Sequence, residues 1–217
     1  EQTRLLAAFD HRDIFIDPAP DAAVSYQERR RLFDLGRSSW QDYDRAKLSA
    51  GGGVFPRAAK SITLTPEIKA WLGLAVEAIT PNGLIRAILQ SEADLLWFGG
   101  IGTYVRAPSE MDADVGDRAN DPIRITSDAL RVKVIGEGAN LGITQPGRVA
   151  FAERGGRINT DFIDNSAGVN SSDKEVNIKI AAGRAVVAGR LDLPARNVLL
   201  AEMTEDVARD CLWNNYQ

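Results

Sequence analysis

Gly136-Glu137-Gly138-Ala139-Asn140 is the stretch of this sequence best equipped for chemistry. Two glycines flank a carboxylate, so the backbone can turn sharply and approach a ligand closely. Asn140 offers both a donor and an acceptor. The stretch follows Val132–Ile135, a β-branched run of strand length around one Lys. A strand ending in such a loop, at the carboxyl edge of an open α/β sheet, lies where such sheets bind ligands. Taken alone, the loop reads equally well as a tight strand-to-helix turn. Two other strand ends carry comparable loops. Asp13–Ile16 runs into Asp17-Pro18, and Asp94–Phe98 runs into Gly99-Gly100. Asp17 suits the carboxylate that accepts ribose hydroxyls in dinucleotide-binding folds and repels a 2′-phosphate. It equally suits a plain turn residue before proline. Gly99, Gly100 and Gly102 either admit a flat ligand to the backbone or only permit a turn with positive φ.

The elements that must position these loops follow from local signals. Thr65-Pro66 and Thr80-Pro81 each place a capping residue before a proline at the first helical position. They predict helices over Pro66–Leu72 and Pro81–Gln90. Ser25 and Glu28 have capping-box spacing and predict a helix reaching about Leu35. Glu1–Phe9 looks like the interior of a helix. Residues 145–154 read as helical. Arg157–Asn159 and Phe162-Ile163 read as short strands, and Asn165–Gly168 as a tight loop. Val176, Ile180 and Val187 recur near helical spacing over Ser172–Ala188, with Gly189 closing that helix. Pro194 and Thr204 begin two further helical stretches. Residues 106–128 are polar and irregular, a long loop or small excursion. Strands alternating with helices predict an α/β fold with a doubly wound, Rossmann-like parallel sheet and C-terminal helices. The three loops would then gather on one sheet edge. The expected organisation is a unit over 1–189 followed by a helical segment over 190–217.

Composition narrows the function classes. With 217 residues, 44% apolar and 26% charged, the chain can bury a sizeable core. The net charge is −4 and the basic residues are scattered, which argues against a nucleic-acid partner. Arg29-Arg30-Arg31 is the single basic cluster and reads as a solvated helix face. Cys211 and His11 each stand alone, which leaves no intramolecular disulfide and no usual zinc site. No apolar run spans a bilayer and no signal peptide opens the chain, so a cytoplasmic, membrane-free setting is expected. Gly51-Gly52-Gly53 lacks the Lys-Ser/Thr ending of a P-loop. The chain does not begin with Met, and residues 1–17 hold no Gly-rich pyrophosphate fingerprint. The expectation is a piece of a longer polypeptide that lacks the first strand of its sheet.

Six segments together carry a resemblance: Phe9–Asp17, Arg37–Asp44, Gly51–Phe55, Leu95–Tyr104, Ala113–Asn120 and Gly156–Asp161. In sequence and order they resemble the large bacterial NAD-dependent glutamate dehydrogenases over almost the whole chain. That resemblance implies oxidative deamination of L-glutamate to 2-oxoglutarate and ammonia, with hydride passing to NAD. It implies that Glu137, Gly138, Ala139 and Asn140 form the nicotinamide-side loop. Asn165-Ser-Ala-Gly-Val169 is similar to the Asn-Ala-Gly-Gly-Val of smaller glutamate dehydrogenases, with Ala167 replacing a glycine. Gly99-Gly100 replace a pair of alanines found there. Ser172 falls on the serine that meets the substrate side-chain carboxylate; it also reads as a helix N-cap.

The resemblance further implies that the catalytic Lys and Asp belong to a substrate domain preceding this one. Lys47 and Lys60, beside Gly51–Gly53, therefore receive no catalytic role, and no catalytic residue is expected within the chain. The isolated chain is expected to be inactive and to bind NAD weakly, and its parent to be a homo-oligomer. Two rivals stay open at this point: another amino-acid dehydrogenase, and a non-catalytic nucleotide-sensing or assembly domain.

Overall fold

The computed structural model describes residues 2–100 and 102–217. It opens on a hairpin rather than a helix. Ala7–Phe9 (β1) pairs antiparallel with Asp13–Ile16 (β2), Ala7 opposite Ile16 and Phe9 opposite Ile14. The helical composition of Leu5–Ala8 is overridden by strand pairing, the usual fate of a weak local propensity. Asp10 makes the turn. Its Oδ1 accepts the backbone N–H of Arg12 at 2.7 Å and of Asp13 at 2.8 Å.

Beyond β2, Asp21 caps the helix Ala22–Asp34 (α1), accepting the N–H of Val24 at 2.9 Å. Ser25 and Glu28 are therefore not its capping pair. Both lie within α1 and are buried. Gly53–Pro56 (β3) then joins the other side of β2, antiparallel. Thus β2 belongs to an antiparallel sheet of order β1-β2-β3 and not to the parallel one. Its side chains alternate between two cores. Ile14 and Ile16 enter the main core, while Phe15 packs with Leu32, Tyr43 and Val54 under α1.

A short antiparallel pair, Ile62–Thr63 (β4) and Ala78–Ile79 (β5), brackets the helix Pro66–Leu72 (α2). Pro81–Leu89 (α3) follows. Both helices start where the Thr-Pro pairs place them, with Thr65 and Thr80 accepting the N–H of Ile68 and Gly83. Leu95–Phe98 (β6) begins the parallel sheet. Residues 106–128 are organised, not irregular. Val105–Arg106 (β7) and Ile125–Thr126 (β8) pair in parallel around the short helix Asp112–Val115 (α4).

Val134–Glu137 (β9) lies two residues later than the run of β-branched residues suggests. The helix Gln145–Glu153 (α5) leads to Arg157–Ile158 (β10). The sheet order is β10-β9-β6, all parallel, with Leu96 opposite Ile135 and Val134 opposite Arg157. Phe98, Ile135 and Phe151 join Ile14 and Ile16 in the main core, so the two sheets share one interior. The opposite side of β6 is more open, with Leu95 and Trp97 more than half exposed.

After β10, Phe162-Ile163 is helical (Asp161–Asp164, α6), not a strand. Ser166–Val187 (α7) starts at once, so Asn165–Gly168 forms its first turn. Gly189 adopts φ +68 just past its end. Leu193–Glu202 (α8) and Thr204–Tyr216 (α9) fold back along α7. Lys174 bonds Asp210 at 2.6 Å and Asn215 bonds Ser166 at 2.6 Å across that contact. Among the described residues no helix is long and apolar enough to cross a membrane.

Candidate functional site

The parallel register places the ends of β6 and β9 side by side, Phe98 opposite Glu137. Gly138 N–H bonds the Phe98 carbonyl at 2.8 Å, so the two loops leave the sheet together. The chain after β10 reaches the same edge. Asp164 Oδ2 accepts the N–H of Glu137 at 3.1 Å, and Asp161 Oδ2 accepts the N–H of Leu141 at 3.1 Å. Leu141 adopts φ +57, an uncommon conformation for a non-glycine residue. The Asp161 carboxylate helps hold it. Asn165 Nδ2 then donates to Asn140 Oδ1 at 3.0 Å. The sequence-selected Gly138, Ala139, Asn140 and Asn165 are thus brought together with Gly99 and Gly100.

Glu137 has a different place from its neighbours. Its carboxylate is fully buried and turned inward. One oxygen accepts the N–H of Gly142; the other takes Arg148 Nη2 at 2.6 Å. Arg148 also donates to the carbonyls of Asn159 at 2.8 Å and Ile143 at 3.3 Å. One buried ion pair therefore ties β9, its loop, α5 and the end of β10. Both carboxylate oxygens are engaged by the protein, so Glu137 shapes the loop from inside.

The glycines divide by what surrounds them. A side chain at Gly99 or Gly100 would meet no atom within 4 Å, and Gly100 has φ +126. This is open backbone. By contrast, a Cβ on Gly136 or Gly138 would lie 2.6 or 2.9 Å from the Trp97 ring. Those two glycines let the half-exposed indole lie flat along β9. Ile101 lies outside the described residues.

Two sequence-selected residues are not brought to this edge. Asp17 ends β2 in the antiparallel sheet, so the three expected loops do not share one edge. It is buried, and its Oδ1 accepts both the N–H and the hydroxyl of Ser49, fixing the loop before Gly51–Gly53. Ser172 is not a helix N-cap. It is exposed on α7, about two turns beyond Asn165.

Besides Asp161 and Asp164, a further acidic residue, Asp10, follows β1 directly. Phe9 meets Tyr104 edge-on at 5.5 Å, and Tyr104 stacks on Phe98 at 5.9 Å, which sets the end of β1 beside the end of β6. Arg57 Nη1 donates to the Asp10 carbonyl at 2.7 Å. Burial pushes the Tyr104 phenol up. The helical look of Leu5–Ala8 hid the strand, and with it the carboxylate at its end.

Among the described residues no group of three His, Cys, Asp or Glu is placed to hold a metal ion. Open glycine backbone, exposed amides and a flanking carboxylate instead suit a large polar organic ligand.

The family described as bacterial NAD-glutamate dehydrogenase, catalytic domain, matches residues 1–217. Proteins named NAD-specific glutamate dehydrogenase show strong similarity. The one from Mycobacterium tuberculosis is 58% identical over 98% of this chain. Those from Halomonas elongata and Pseudomonas aeruginosa are each 54% identical over 100% of it. The chain spans only 13 to 14% of the length of these relatives.

Proposed function

The chain belongs to the bacterial NAD-glutamate dehydrogenase catalytic-domain family, and from that premise we propose that it supplies the NAD-holding edge of an NAD-dependent glutamate dehydrogenase. The observation that carries this reading is the parallel pair β6 and β9. Their loops end side by side and are tied to a third through Asn140 and Asn165. Residues 1–189 then form a Rossmann-like cofactor unit, and 190–217 a helical segment packed on it. The parent oxidatively deaminates L-glutamate to 2-oxoglutarate and ammonia.

NAD, when bound, accepts the hydride; the protein supplies binding and orientation. Gly99 and Gly100 let the backbone approach a flat ring, since nothing occupies the space a side chain would take. Asn140, whose Oδ1 accepts from Asn165, presents its own amide N–H groups beside Gly138 and Ala139. Asp10, and not Asp17, takes the ribose role, its charge disfavouring a 2′-phosphate. Glu137 and Arg148 keep the loop in shape without touching the ligand. Ser172, exposed on α7, is assigned to the substrate's side-chain carboxylate. The catalytic Lys and Asp are assigned to another part of the parent, so residues 1–217 alone should not turn over glutamate.

Hydrogen exchange on the parent protein with and without NAD tests the placement. Slowed exchange is expected at 99–104, 138–142 and 159–166. Protection that leaves all three segments unchanged would remove them from the cofactor site.

A further inference from the structure

Residues 106–128 have no role in the reading above, yet they grip the chain just after the β6 glycines. Thr103 is held at both ends of its backbone. Its N–H donates to Asp117 Oδ2 at 2.9 Å, and its carbonyl accepts Arg124 Nε at 3.0 Å. Asp117 is steadied in turn by Asn120 Nδ2 at 2.8 Å, and its own carbonyl accepts Arg124 Nη2 at 2.5 Å. Arg124 is 3% exposed and also pairs with Asp112 and Asp121, so its guanidinium is fully committed inside the excursion. Gly102 fits this contact. At φ +134 it presses against Asn120 and Asp117 so closely that a Cβ would lie 2.7 Å from Asp117 Oδ2. The far end of the excursion grips the second loop. Thr144, which caps α5 after the β9 loop, donates its hydroxyl to Glu110 Oε2 at 2.5 Å. Glu110 Oε2 also accepts the N–H of Ala107 at 2.7 Å.

We propose that residues 106–128 are a buckle: Asp117 and Arg124 clasp Thr103, and so fix the backbone at Gly102 and Thr103, just beyond the Gly99-Gly100 pair that faces the cofactor. Asp117 and Arg124 are positioning residues, acting through Thr103. This rests on the assignment of that loop to NAD, but the clasp itself can be measured without it. A charged acceptor shared by two N–H donors is among the stronger hydrogen-bonding arrangements. Its removal takes the carboxylate acceptor from the Thr103 N–H, while Arg124 still holds the Thr103 carbonyl. The excursion thereby touches the chain beyond both strands, at Thr103 and separately at Thr144.

The test uses the full-length parent carrying Asp117→Ala or Asp117→Asn. For Asp117→Ala, hydrogen exchange at 102–104 should quicken about tenfold or more, matching the loss of a strong hydrogen bond. Exchange at 138–142 should stay near wild type. The KM for NAD should rise about tenfold, with kcat within roughly twofold. Asp117→Asn should restore both values, because an amide oxygen still accepts the Thr103 N–H. Wild-type exchange at 102–104 in Asp117→Ala would overturn the buckle. Faster exchange with an unchanged KM for NAD would leave the buckle standing and overturn the cofactor assignment of the loop. If Asp117→Ala does not fold, Asn120→Ala supplies the same readout. A smaller change in the same direction is expected, and no change overturns the proposal.

Discussion

Arg148 Nη2 lies 2.6 Å from Glu137 Oε2 with neither side chain more than 5% exposed, at the point where β9 becomes its loop. A pair so placed stabilises little against a well-packed apolar replacement. Breaking one half, however, strands a buried charge at a cost of about 3–5 kcal/mol. Glu137→Ala and Arg148→Ala should each lower stability by that order. Glu137→Ala combined with Arg148→Met should recover part of the loss. Chemical denaturation reads this directly. Two single variants within about 1 kcal/mol of wild type would show that the pair does not hold the loop.

Asn140 and Asn165 should behave differently, because their mutual hydrogen bond is exposed. Replacing either by Ala should move the denaturation midpoint little, by under roughly 1 kcal/mol. Binding of NAD by the parent should nonetheless weaken about tenfold in each. If Asn165 acts by holding Asn140, the double variant should be hardly worse than either single one. Calorimetric titration of the four proteins of that cycle decides it. Fully additive losses would mean that the two amides act separately.

How much of this was legible in the sequence depends on the range of the interaction concerned. Thr65 and Thr80 announce their helices because a cap and a following proline act within one turn. Gly138 and Asn140 announce a loop for a similarly local reason. Asp17 reads as a ribose ligand in the sequence because a strand ending in Asp-Pro looks the same whichever sheet it joins. Only the pairing of β2 with β1 and β3 places it on the antiparallel side. Asp10 is hidden in the sequence because Leu5–Ala8 has helical composition and only the partner strand makes Ala7–Phe9 extended. The excursion looked irregular because its order comes from one buried Arg124 and its carboxylates rather than from an apolar repeat. Ser166 and Ser172 lie on one continuous helix, which the Asn-Ser-Ala-Gly composition disguised as a loop.

The separation of Asp10 from Asp17 gives opposite expectations for one substitution. Asp10→Asn keeps an oxygen for the N–H groups of Arg12 and Asp13, so the hairpin turn should survive. It removes the charge proposed to repel a 2′-phosphate, and the NAD-to-NADP preference of the parent should shift about tenfold toward NADP. Asp17→Asn should leave that preference alone. It should instead cost about 1–3 kcal/mol through its buried contacts with Ser49. Parallel kinetics with the two cofactors, together with melting curves, separates the two. A preference that moves with Asp17 and not with Asp10 would restore the sequence-based assignment.

Glu28 makes stability depend on acid in a window that can be worked out. Its side chain is fully buried in α1. It takes Arg31 Nη2 at 2.5 Å, the N–H of Asp44 at 2.9 Å and Lys47 Nζ at 2.9 Å. The Arg31 bond is the largest influence. With burial opposing it and Asp44 and Lys47 adding to it, the carboxyl is held down from 4.5 to about 2. A folded value below the unfolded one means that the unfolded chain takes up the proton first as pH falls. The contribution is therefore complete above about pH 5 and declines from pH 4.5 toward 2. Because Arg31 and Lys47 reach solvent, that contribution is on the order of 2 kcal/mol. Asp42, Asp112 and Asp117 are also held below the usual carboxylate value, so the wild-type slope is not due to Glu28 alone. The difference between wild type and Glu28→Gln isolates it. Glu28→Gln should be less stable at pH 7, and the two denaturation curves should converge as pH falls from 5 to 3. A gap that stays constant over that range would show that Glu28 acts through packing and not through its charge.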